Sequence, residues 1–206
     1  MMADHEAEPV SEEAHDLLAR LRRVGALKEG HFLLASGRHS NRYIEKFDLL
    51  RRPSETEAAC RGFAERFASA EIDVVVGPTT GGVILAYEVA RQLGVVAAYA
   101  ERRSDGAAGR EFRRGTTFRA GDRVLVVDDV LTTGGSVRET LAALADEPVE
   151  VVAVAVLVDR SGGRVQFEGV PLVALATLDV ATWDAADCPL CAEGVPLVKP
   201  GTTAVR

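Results

Sequence analysis

Cysteine, tryptophan and basic charge are all scarce in this chain. Its 206 residues hold three Cys, one Trp, and 24 Lys and Arg against 31 Asp and Glu, a net charge of −7. The acidic balance argues against a nucleic-acid partner, because domains that bind nucleic acid present a basic face. No apolar run approaches the ~20 residues that span a bilayer, so no membrane partner is expected. Residues 1–10 are acidic and polar and lack the basic and apolar regions of a secretory signal; they are expected to form a frayed tail. A low, odd cysteine count without such a signal fits a reducing, cytoplasmic setting. Cys188-Pro-Leu-Cys191 has the spacing of half a zinc site, but no second pair accompanies it: Cys60 stands alone and the four His are scattered. The expectation is a turn built around Pro189 with free thiols. Two phosphate-binding signatures are missing as well. There is no Gly-Lys-Ser or Gly-Lys-Thr of a P-loop and no Gly-x-Gly-x-x-Gly of a dinucleotide fold.

What is present centres on Val124-Leu-Val-Val-Asp-Asp-Val-Leu-Thr-Thr-Gly-Gly-Ser136. Val124 to Val127 is short and β-branched enough to be a buried strand. Asp128 and Asp129 follow, then Thr132, Thr133, Gly134 and Gly135, and Ser136 leads into a helical pattern over 135–145. Backbone N–H groups freed by glycine at a helix N-terminus suit a phosphate. The adjacent carboxylates suit sugar hydroxyls or a divalent cation. Around this stretch the chain alternates strand and helix. Strands are expected at 72–76, 95–100, 149–158 and 170–178, a helix at 83–93, and a short extended piece near 116–118. Near-continuous apolar strands between helices imply an α/β fold with a mainly parallel sheet. Ligands in such sheets sit beyond the carboxyl ends of the strands, which brings together loops 77–82, 128–136 and the one starting at Asp159-Arg160. Before them come an amphipathic helix through Leu17, Leu18 and Leu21, and a hairpin turning at 37–41. Next is a helix with Ser54 as N-cap and Glu57 completing a capping box.

The stretch 124–136 resembles the phosphoribosyl-diphosphate (PRPP) motif of type I phosphoribosyltransferases, and Gly77-Pro-Thr-Thr-Gly-Gly82 resembles their diphosphate loop. Gly30-His-Phe-Leu-Leu-Ala-Ser-Gly-Arg-His-Ser-Asn-Arg-Tyr43 is similar to the N-terminal hood of the orotate phosphoribosyltransferases. Asp159-Arg160 and Cys188 to Leu197 match that family too. The resemblance implies a type I phosphoribosyltransferase fold over 11–206, with a hood formed by about 11–50 and 180–206. It implies PRPP contacts from Asp128, Asp129, Val130, Leu131, Thr132, Thr133, Gly134, Gly135 and Ser136, with Asp128 and Asp129 catalytic. Thr79, Thr80, Gly81 and Gly82 would hold diphosphate; Thr132, Arg160 and Tyr43 would hold orotate. Arg102 and Arg103 would sit in a mobile loop that serves the neighbouring subunit of a homodimer. Mg²⁺ would be the cofactor, bound mainly through substrate oxygens with no firm protein ligand. A Lys of many such enzymes is replaced here by Gly81 and another by Ala35, leaving Lys46 or the loop arginines as replacement cations. An Arg fork suits a planar carboxylate such as orotate. A transferase for a purine base and a PRPP-sensing regulator without catalysis are the two other readings open at this point.

Overall fold

The computed structural model describes residues 12–200; the expected tail over 1–10 lies outside the described residues. Helix α1 (Glu12–Arg23) buries Leu17, Leu18 and Leu21 on one stripe. An antiparallel hairpin follows, β1 (Leu27–Leu33) and β2 (His39–Ile44), whose turn lies at 34–38. A short helix α2 (Phe47–Leu50), unforeseen from the sequence, leads into α3 (Pro53–Phe67). The capping box does not form. Pro53 takes the first helical position, where its fixed φ and missing N–H suit a helix start, so Arg52 is the N-cap and no side chain caps it.

The central sheet uses β3 (Val74–Pro78), β4 (Val96–Arg102), β5 (Arg110–Glu111), β6 (Arg123–Leu131), β7 (Glu150–Asp159) and β8 (Leu172–Thr177). Its order is β5-β4-β3-β6-β7-β8, all parallel except the β4–β5 pair. The extended piece expected near 116–118 is absent. Phe118 instead packs edge-on against Phe112, ring centroids 4.9 Å apart, and the short strand falls at Arg110–Glu111. Helices α4 (Gly81–Leu93) and α5 (Gly135–Leu144) complete the crossovers.

Alternation along the strands divides the core in two. Val75, Leu125 and Val127 pack with Phe63, Leu85 and Leu21 from α3, α4 and α1. Val74, Val76, Val124 and Val126 pack with Val137 and Leu144 of α5. Both faces of the strands are covered, which explains their unbroken apolar runs.

A small second sheet, order β1-β2-β9, adds β9 (Thr182–Trp183) to the hairpin. The chain then passes through a short 3₁₀ turn and α6 (Pro189–Ala192) and returns to β1, where Val198 exchanges backbone hydrogen bonds with His31 and Leu33. This return corrects one expectation. Cys188 and Cys191 do meet a second pair of metal-type ligands, His31 and His39, because the hairpin sets those two residues on the side that the returning segment covers.

Candidate active site

The strand order reverses direction between β3 and β6: β4 lies to one side, β7 and β8 to the other. A crevice opens at such a switch point, beyond the carboxyl ends of the strands. The loops 79–82 and 128–136 border it.

The acid pair sits inside β6, not after it. Pairing with β7 continues to Leu131 opposite Asp159, and this pairing overrides the weak strand propensity of two aspartates. Consecutive strand residues point to opposite faces, so the two carboxylates part. Asp128 faces α5: its Oδ2 accepts from the Ser136 hydroxyl at 2.7 Å and its Oδ1 from the Asp129 N–H at 2.9 Å. Asp129 faces the start of α4 and the hood: its Oδ1 accepts from the Val130 N–H at 2.7 Å and from Lys46 Nζ at 3.0 Å, and Nζ lies 2.9 Å from Oδ2. Both acids are buried, at 6% and 2% exposure. Burial raises the pKa of each; for Asp129, burial, reinforced by the Asp128 charge and opposed by Lys46, pushes it up to about 6.

Gly81 makes this arrangement possible. A Cβ there would lie 1.8 Å from Asp129 Oδ2. A lysine at position 81 therefore cannot coexist with this placement of Asp129, and the cation beside the acid comes instead from Lys46, 83 residues earlier. Thr79 and Thr80, joined by a cis peptide, precede Gly81 and Gly82, which begin α4.

Beyond the acids, Thr132 and Thr133 are exposed and Gly134 takes φ +78°, a left-handed conformation open to glycine, as the N-cap of α5. With Gly135 and Ser136 this forms a turn whose N–H groups head a ten-residue helix. Val130 and Leu131 contribute backbone to it. The Leu131 side chain is buried in the core, and its carbonyl accepts the Arg160 N–H at 2.8 Å.

That bond brings the third loop alongside. Asp159 accepts from the Ser161 and Gly163 N–H groups at 2.6 and 3.0 Å and so shapes the turn that presents Arg160. A cavity of about 780 Å³ opens here, lined by Ser36, Arg38, Tyr43, Thr132, Thr133 and Arg160 among others. Tyr43 lies half-buried against Phe32, ring centroids 5.8 Å apart. Arg160 Nε is buried with no hydrogen-bond partner among the described residues, and burial lowers the guanidinium pKa. A desolvated guanidinium of this kind favours an anionic partner.

A second cavity of about 510 Å³ is lined by Lys46, Thr79, Thr80, Arg102 and Arg113 with Phe47 and Glu101. Arg102 thus faces the 79–82 loop of its own chain. Arg103 is not among the residues lining this cavity; it is exposed and paired with Asp105 at 2.5 Å. Arg113 and Arg114 pair with Glu101. Arg110 turns inward, 7% exposed, donating to the Thr79 hydroxyl and the Ala100 carbonyl at 3.0 Å each.

Lys46, Ser136 and Arg110 hold the site's charged and hydroxyl groups in place. From sequence alone Lys46 is only a replacement cation and Ser136 a phosphate contact, and Arg110 has no assigned role. Nothing in their local sequence signals the partners they take up.

Residues 49–185 match the phosphoribosyl transferase domain family. The chain is 49% identical over 181 residues to the orotate phosphoribosyltransferase of Caldicellulosiruptor saccharolyticus, covering 88% of this chain and 93% of that one. Among solved structures it resembles the orotate phosphoribosyltransferase of Aeropyrum pernix, with 33% identity, a TM-score of 0.68 and coverage of 79% and 93% of the two chains. The enzyme of the same name from Mycobacterium tuberculosis H37Rv gives 27% identity, a TM-score of 0.64 and coverage of 82% and 97%.

Proposed function

The chain belongs to the phosphoribosyl transferase domain family and, within it, to the orotate phosphoribosyltransferases, and from that premise we propose how its residues divide the work. The reaction joins the ribose 5-phosphate group of PRPP to a ring nitrogen of orotate, giving orotidine 5′-phosphate and diphosphate in pyrimidine synthesis. A bond from the anomeric carbon to diphosphate oxygen breaks and one to nitrogen forms. Positive charge gathers on the sugar between these events, so the protein needs no nucleophile. It must position, neutralise and exclude water.

In this reading the 5-phosphate of the sugar occupies the turn from Thr132 to Ser136 at the start of α5. Asp128 and Asp129 face the ribose hydroxyls and, as anions, favour the positive sugar. Thr79, Thr80, Gly81 and Gly82 receive diphosphate, with Lys46 and Arg102 supplying the positive charge that loop 79–82 lacks. Arg160 forks onto the orotate carboxylate, with Tyr43 and Thr132 bounding the ring. Mg²⁺ is the proposed cofactor; the hard carboxylate oxygens beside the crevice fit it. Asp129 already holds Lys46, so the acids would meet the ion through ribose hydroxyls and water. When bound, the ion supplies charge neutralisation to the departing diphosphate.

A homodimer is proposed, with Arg103 directed out of its own chain. Tyr87 and Val96, 66% and 63% exposed on α4 and β4, offer apolar surface for a second copy. The cytoplasm is the proposed location; among the described residues no helix is long and apolar enough to cross a membrane.

One observation carries the reading. The loop that follows the acid pair also lines, through Thr132 and Thr133, the cavity bearing Arg160 and Tyr43, so a sugar held by the first meets a base held by the second. A steady-state assay with PRPP, Mg²⁺ and a panel of bases tests it. Turnover with orotate and none with adenine, guanine or xanthine is expected; the converse pattern overturns the assignment of the acceptor cavity.

A further inference from the structure

Far along the chain from the acid pair, four ligand-type atoms converge under the hood. They are His31 Nε2, His39 Nδ1, Cys188 Sγ and Cys191 Sγ, all within 4.8 Å of one another. Nε2 of His31 lies 2.9 Å from His39 Nδ1, 3.4 Å from Cys188 Sγ and 3.7 Å from Cys191 Sγ, and Cys191 Sγ lies 3.3 Å from His39 Nδ1. Three of the four residues are buried: His31 at 2%, His39 at 5% and Cys188 at 3%; Cys191 is exposed.

The tautomer of His31 is fixed by chemistry. Its Nδ1 lies 2.8 Å from the Val195 carbonyl oxygen, which only accepts, so Nδ1 carries the proton and the neutral ring turns a bare lone pair toward the cluster at Nε2. A histidine that donates its far N–H to a backbone carbonyl is the usual posture of a metal ligand. The other three atoms are a second imidazole nitrogen and two sulfurs. Thiols donate weakly, so hydrogen bonds alone leave this buried group poorly satisfied. A tetrahedral ion with bonds of about 2.0–2.1 Å to nitrogen and 2.3 Å to sulfur gives ligand–ligand edges of about 3.3–3.8 Å. The three sulfur–nitrogen distances of 3.3, 3.4 and 3.7 Å lie in that range, and the two nitrogens, 2.9 Å apart, would move apart slightly to admit the ion.

We propose that His31, His39, Cys188 and Cys191 form a structural Zn²⁺ site that fastens the C-terminal segment to the hood hairpin. Two nitrogens and two thiolates in tetrahedral array select zinc over the oxygen-loving magnesium used with PRPP. Four protein ligands leave no open position, so the ion holds structure and does no chemistry. What it holds matters to the acceptor. His39 pairs with Leu33 across the hairpin and with Trp183 of β9, and the same hairpin carries Ser36, Arg38 and Tyr43 into the 780 Å³ cavity. The returning segment meets the hairpin through the Val198 bonds to His31 and Leu33 and the His31 bond to the Val195 carbonyl, and the ion adds a covalent-strength tie at the same place.

The test uses the full chain purified under reducing conditions without chelator and measures metal by mass spectrometry. About one zinc per chain is expected, and replacement by Co²⁺ should give the thiolate charge-transfer absorption and strong visible bands of a tetrahedral site. Cys191→Ser, at an exposed position that a fold tolerates, should lower zinc retention at least about tenfold. Stripping the ion should raise the KM for orotate more than that for PRPP. A chain that stays metal-free after incubation with Zn²⁺, a Cys188–Cys191 disulfide in its place, or undiminished zinc in Cys191→Ser would each overturn the proposal.

Discussion

Replacing Asp129 with Asn removes a charge that the fold holds in a buried place, and its effect on stability can be worked out from the site. The carboxyl titrates at about 6 in the folded protein against an ordinary 3.8, chiefly through burial and then through the charge of Asp128. Between those values the folded chain keeps a proton that the unfolded chain has released. Wild-type stability therefore falls as pH rises through that window, the reverse of a salt-bridged aspartate. The gap between 3.8 and about 6 corresponds to about 3 kcal/mol. Asn has the shape of the protonated acid and keeps an oxygen for the Val130 N–H. Lys46, 39% exposed, can swing to solvent when its partner is gone. Asp129→Asn should thus be more stable than the wild type by about 3 kcal/mol at pH 8 and by about half that at pH 5, where the wild type is mostly protonated already. Urea unfolding at the two pH values, without substrate, measures both numbers. Turnover should meanwhile collapse if, as proposed, that anion faces the sugar. A variant less stable than wild type at pH 8, or one whose gain is the same at both pH values, would refute the electrostatic account of the acid pair.

Three further outcomes are expected. Arg160→Ala should raise the KM for orotate about 10–100-fold, the worth of a charge-assisted hydrogen bond, and leave that for PRPP within a few-fold; equal loss on both substrates would make Arg160 a structural residue. Gly81→Ala forces its Cβ onto Asp129 Oδ2, so it should lower stability by about 1–3 kcal/mol and depress turnover severely; wild-type kinetics would show that the contact relaxes freely. Subunit exchange separates the two loop arginines. Chains carrying Asp128→Asn mixed with chains carrying Arg103→Ala should regain activity, whereas Asp128→Asn mixed with Arg102→Ala should not. Recovery in the second mixture and none in the first would reverse their assignment.

Much of this site was legible because it is contiguous. The apolar run, the acids, the hydroxyls and the glycines lie within Val124 to Ser136, and so the strand and the glycine turn that heads α5 could be read without knowing the fold. The parallel sheet was legible for a similar reason, its strands being unbroken apolar runs. What escaped was set by distant partners. Nothing near Lys46 in sequence announces a carboxylate 83 residues later, and nothing near Cys188 announces His31. The acids were expected beyond the end of a strand, since local propensity says so; pairing to β7 extended the strand through them and sent them to opposite faces. Ser54 and Glu57 had the right spacing for a cap, but a proline one residue earlier had a stronger claim on the helix start.

The ion pair between Lys46 and Asp129 also bears on how acceptor specificity can be transplanted. Lys46 lies just past the hairpin, in the segment that carries Ser36, Arg38 and Tyr43 into the acceptor cavity proposed above, while Asp129 belongs to the central sheet. A chimaera that brings in the hairpin of another transferase and cuts before position 46 keeps this counter-charge. One that cuts after it strips the lysine away, and does so at the very acid whose crowding by Gly81 leaves no room for a lysine on the loop side. The seam for such grafts lies between Ile44 and Lys46, a window of one residue.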